Sequence, residues 1–111
     1  MESTDLEALA HDQLTLARDA RSGRSAVALH RGRHHRLRQT LIALAADRRL
    51  DEHDAPPEAT LQVLVGRVSV TAGDARWEGS AGDLLVIPNV RHDLHALEDA
   101  VALLTTVVDA D

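Results

Sequence analysis

Residues 59–92, ATLQVLVGRVSVTAGDARWEGSAGDLLVIPNVRH, decide the fold. Apolar runs rich in Val and Leu (Leu61–Val65, Val68–Thr71, Leu84–Ile87) are separated by turn clusters at Gly66-Arg67, Ala72-Gly73-Asp74 and Gly79-Ser80-Ala81-Gly82-Asp83. Connections this short leave no room for crossover helices, so neighbouring strands must run antiparallel. Alternation along the runs puts Leu61, Val63, Val65, Val68, Val70, Leu85, Ile87 and Leu94 on the inward face. The residues by themselves specify a small antiparallel β barrel or sandwich.

Beyond this stretch, Glu98-Asp99 supplies one more turn, and the nearly all-apolar run Val101–Val108 predicts a last strand buried on both faces. Trp77 stands between Arg76 and Glu78 on a polar strand, which predicts a place on the outer face of the barrel. Towards the N-terminus, Thr4-Asp5-Leu6-Glu7 fits a capping box, and Leu6, Leu9, Ala10, Leu16, Ala17 and Ala20 recur at helical spacing before Ser22-Gly23. Residues 5–21 therefore predict an amphipathic helix that packs across one mouth of the barrel or onto a partner subunit. Ser25–His30 and Leu37–Ala45 predict a hairpin around Arg31-Gly32-Arg33, and residues 47–58, with Pro56-Pro57, read as a polar loop. The organisation expected is a helical segment, 1–24, ahead of one barrel domain, 25–111.

A chain of 111 residues holds one domain. With one Trp and no Phe or Tyr, the core must be filled by aliphatic side chains, and the aromatic platforms that grip bases or sugars are lacking. The absence of Cys removes disulfides, thiolate metal sites and cysteine nucleophiles. The opening residues MESTDLEALA lack the pattern of a signal peptide, and no apolar run approaches the ~20 residues of a membrane span; a cytoplasmic protein is expected. Residues 20–46 carry six Arg and no acid, whereas the net charge is −6, which argues against nucleic acid as a partner. The basic segment His30, Arg31, Arg33, His34, His35, Arg36 and Arg38 reads as a solvated turn facing the acidic remainder of the chain, with an anion or metal site as the alternative.

Gly66 after a β run, then Gly82-Asp83-Leu84-Leu85-Val86-Ile87-Pro88 and His92, resembles the two sequence motifs of a small cupin, over about residues 37–108. The resemblance implies a mainly β fold, a jelly-roll antiparallel barrel carrying the N-terminal helix. In metal-binding cupins the first motif supplies two His and a Glu and the second motif a further His. Carried onto this chain, His53 and His92 take two of those positions, while Ala55 and Ala59 stand where the second His and the Glu would be. Val90 replaces the second motif's glycine. A catalytic transition-metal site normally needs three protein ligands. A third would have to come from Glu58, Gln62 or His95, each of which strand alternation turns the wrong way.

The function expected is binding of a small molecule at the barrel mouth, with His53, His92 and Gln62 as its contacts, in a homodimer. One alternative is a metal-dependent oxygenase or isomerase holding Fe, Mn, Ni or Zn on His53 and His92. Another is a sensor or interaction module with a solid barrel. Two imidazoles facing one cavity would keep it polar and should lie within about 10 Å of each other, near enough to share one small ligand.

Overall fold

The computed structural model describes residues 1–53 and 56–108, and of residues 52 and 53 the backbone alone. One helix, α1 (Leu6–Asp19), precedes nine strands: β1 (Arg24–His30), β2 (Leu37–Leu44), β3 (Arg49–His53), β4 (Glu58–Val65), β5 (Arg67–Ala72), β6 (Ala75–Ser80), β7 (Leu84–Ile87), β8 (His92–Ala96) and β9 (Ala100–Val107). They form a five-stranded sheet, β1-β2-β9-β4-β7, facing a four-stranded one, β3-β8-β5-β6, with antiparallel neighbours throughout. The antiparallel pairing is what the turn spacing predicts, and the jelly-roll arrangement is the one that the cupin resemblance implies.

Between the sheets lies an aliphatic core that includes Ile42, Leu44, Leu61, Val63, Val68, Val70, Ile87 and Leu94. The last strand to be made is the central one of its sheet, paired on both sides. Its Ala100 and Ala102 face the interior, while Val101 faces the opposite way, under the helix. That double burial is why the run carries almost no polar residue.

The helix is a third layer. Ala10, Leu14 and Ala17, at i, i+4 and i+7, bury against Leu41, Ala43 and Val101 on the outer face of the larger sheet. It does not cross a barrel mouth. The buried stripe runs through Leu14, and Leu16 is exposed. Asp5, one residue beyond Thr4, is the N-cap, its carboxylate accepting from the Ala8 amide at 3.1 Å. The Ser25 hydroxyl on β1 hydrogen-bonds the Gln13 side chain, and Arg18 pairs with Asp99 at 2.7 Å.

Three further expectations change. Val65 is at the surface because a bulge between Val63 and Val65 breaks the register of β4 against β9. Trp77 points inward: it pairs with buried Val70 and packs on the interior core, its ring filling the space that a Cβ at Gly79 would occupy. The 47–58 segment contains β3, an edge strand whose Leu50 packs against the core. Its polar sequence hid it, because an edge strand needs only one apolar residue to anchor it. Among the described residues no helix is long and apolar enough to cross a membrane.

Candidate functional site

Strand parity decides what faces the interior. On β2, Ile42 and Leu44 belong to the interior core while Leu41 and Ala43 lie under α1. Thr40 and Arg38 share the parity of Ile42, and the β2–β9 register is unbroken, with Arg38 opposite Thr106 and Thr40 opposite Leu104. Arg38 and Thr40 are thus placed on the inner face at one end of the larger sheet. In the same end layer Thr106 pairs with Ala59, and Ala59 with Ile87. On the facing sheet His92 stands between Ala72 of β5 and His53 of β3.

His92 is 4% exposed. Its Nδ1 lies 3.0 Å from the Val90 carbonyl, which can only accept, so Nδ1 carries the proton and Nε2 is the acceptor in the neutral ring. Among the described residues only Asp47 departs from glycine in having positive φ, so Val90 serves in this turn without strain. The imidazole contributes to a cavity of about 20 Å³, room for about one water, walled chiefly by Ile42, Leu50, Leu61, Ile87 and Leu104.

Ile42 and Leu50 also border a larger cleft of about 350 Å³ that opens between the hairpin β1–β2 and the edge strand β3, with Arg24, Ala26 and Thr40 on its walls. It exists because the four-stranded sheet stops at β3, leaving the inner face of β1 uncovered: Arg24, Ala26 and Ala28 are exposed where Val27 and Leu29 are sealed by α1. Ile42 and Leu50 divide this cleft from the cavity beside His92.

The residues singled out from sequence divide accordingly. The backbone of His53 lies directly opposite that of His92; its side chain is outside the described residues, as are Asp54 and Ala55. Gln62 does not reach the interior, a correction to its expected role: it is exposed on the other side of β4, between buried Leu61 and Val63. Glu58 is also exposed. His95 turns to the outside of its sheet, where its Nε2 meets Asp47 at 2.7 Å and, with the charge on that ring, holds the Asp47 carboxyl below its usual range.

A divalent metal would need donors that converge here. Ala59 occupies the end layer where the resemblance implies a carboxylate, and among the described residues Arg38 brings a cation to that layer. Among the described residues no group of three or more His, Asp or Glu is placed to hold a metal ion. The described donor set does not fit one.

Arg38 is the residue that the sequence analysis misplaced. Its Nε is buried without a hydrogen-bond partner, whereas the neighbouring turn is solvated and carries stacked His30 and His35 rings, 4.7 Å apart. Its parity with Thr40 and Ile42 is no signal in the sequence alone, because Leu41 and Ile42 are both apolar and buried on opposite faces.

No protein-family model matches the sequence, and no curated protein does. Solved structures do. A cupin superfamily protein from Desulfitobacterium hafniense is similar over 82% of this chain and 84% of its own, at 20% identity and TM-score 0.72. An RmlC-like cupin from Desulfovibrio desulfuricans is similar over 76% and 81%, at 23% identity and TM-score 0.66. A protein of unknown function from Rhizobium leguminosarum is similar over 98% of both chains, at 15% identity and TM-score 0.72. The fold is that of a small cupin domain.

Proposed function

We propose that this cupin-fold protein binds a small molecule in the cleft between the β1–β2 hairpin and β3, with His92 behind it. The observation that supports this is a ligand-sized cleft, about 350 Å³, separated from the small cavity beside the buried imidazole by Ile42 and Leu50, which line both. A ligand in the cleft would meet an apolar floor and hydroxyl and cationic walls; displacement of Leu50, on an edge strand, would admit it to His92. A fragment screen followed by amide shifts of the ¹⁵N-labelled protein tests it. Saturable shifts at Thr40, Ile42, Leu50 and His92 are expected, and their absence with every fragment would overturn the proposal.

The metal-dependent oxygenase or isomerase, with Fe, Mn, Ni or Zn on His53 and His92, is separated by metal analysis of untagged protein. Loss of a stoichiometric metal in His53→Ala and His92→Ala would favour it. An interaction module finds support in the small size of the cavity beside His92, about 20 Å³, but not in an open cleft.

A homodimer is part of the same proposal. β7 is the free edge of the larger sheet, and Leu84 and Val86 on its outer side are 61% and 73% exposed. Antiparallel pairing of two β7 edges about a two-fold axis would cover both rows of apolar side chains.

A further inference from the structure

The charge around the cleft is one-sided. Arg24 is on its wall, and Arg38 is the next inward residue along β2 after Thr40, about 7 Å further on at strand spacing. Among the described residues neither arginine is in an ion pair, and the Nε of Arg38 is buried with no acceptor at all. No carboxylate is on the described walls of the cleft. An arginine N–H that has given up water without gaining an acceptor is held at a cost, and that cost is relieved when an anion joins it. Arg38 sits beside two hydroxyl-bearing neighbours on the same face, Thr40 along its own strand and Thr106 across from it.

We infer that the cleft takes a small carboxylic acid with an apolar body, its carboxylate gripped by Arg38 and Thr40. The inference rests on the small-molecule reading above and adds the ligand's class. The guanidinium presents two parallel N–H groups along its Nε edge, a spacing that matches the two oxygens of a planar carboxylate. Arg38 does not itself line the cleft, so the proposal requires its side chain to change rotamer, turning that edge towards Thr40 when the acid binds. The body of the acid then lies on Ala26, Ile42 and Leu50. A cation in this layer, beside Ala59, favours an anion over a divalent metal for the same reason that it repels one.

Hexanoate, its neutral counterpart hexanamide, and inorganic phosphate are the probes, titrated into the ¹⁵N-labelled 111-residue chain at neutral pH. Hexanoate should shift Thr40, Ile42 and Leu50 saturably and bind more tightly than hexanamide or phosphate. Arg38→Gln should weaken hexanoate by about tenfold or more while leaving hexanamide unchanged, and Arg38→Lys should recover part of the loss. The melting temperature of Arg38→Gln without ligand should be equal to or above that of the parent, because no folded-state partner is lost. Equal binding of hexanoate and hexanamide, or of hexanoate to parent and Arg38→Gln, would overturn the carboxylate assignment and leave the small-molecule proposal standing. Tighter binding of phosphate would also overturn it. A lower melting temperature in Arg38→Gln with unaltered binding would make Arg38 structural. No shift at these residues with any probe would count against both proposals.

Discussion

Gly66 and Asp99 meet where the β4–β5 turn passes the β8–β9 turn. Gly66 has φ +76°, and a Cβ there would lie 2.1 Å from the Asp99 carbonyl oxygen. Left-handed backbone and backbone-to-backbone contact penalise a side chain together, so Gly66→Ala should destabilise the protein by about 2–4 kcal/mol in urea unfolding. The Asp99 carboxylate accepts from the Ala46 amide at 2.8 Å and binds Arg18 at 2.7 Å, and both contacts hold its pKa below the usual value, Arg18 first. A depressed folded pKa gives stability that is present above the unfolded pKa, about 3.9, and lost as pH falls through the folded value. Urea midpoints at pH 6 and pH 3 should therefore drop more for the parent than for Asp99→Asn; both groups are partly exposed, so the difference is about 1 kcal/mol or less. At this scale the glycine turns were legible because each has its own backbone reason. Arg38 was not, since the apolar run Leu41-Ile42-Ala43-Leu44 serves two cores and shows no alternation from which to count back.

Elements were legible in proportion to how regularly they bury. The strands from β4 to β9 follow the turn residues closely, and no helix intervenes. Helix α1 was expected, but its place was not, because amphipathic spacing says that a face is covered without saying by what. The answer lies in the double-sided apolar character of β2 and β9. Leu14 is the largest side chain of the helix that is fully buried against them. Leu14→Ala should cost about 2–3 kcal/mol by chemical denaturation, whereas Leu16→Ala, exposed, should cost well under 1 kcal/mol. Equal effects would mean that the helix is docked in another rotation. The edge strand β3 escaped notice for the converse reason: its single inward leucine leaves no pattern. That omission hid one bank of the cleft, so the site was legible only as far as His92 and its backbone neighbour His53.

For the whole molecule, the prediction concerns self-association. Sedimentation at micromolar concentration should give twice the chain mass, and Val86→Lys on the exposed edge should give the chain mass itself. A parent monomer independent of concentration would count decisively against the dimer. The fold itself came from the turns and the two short motifs. The position of the cleft did not, because it arises from a mismatch of five strands against four that no local segment encodes.

The placement of β9 between β2 and β4 bears on synthesis. While the ribosome is still making the chain, β1 and β2 can close as a hairpin, and the β5–β6 turn can form as it emerges. β2 and β4 each lack the neighbour that joins them until residues 100–107 have cleared the exit tunnel. The nascent chain therefore carries Leu41, Ile42, Leu61 and Val63 without the cover of β9 until that strand emerges. Chaperone capture of stalled chains should be greatest when β2 and β4 are outside the tunnel with β9 still inside it, and should fall sharply once β9 is out.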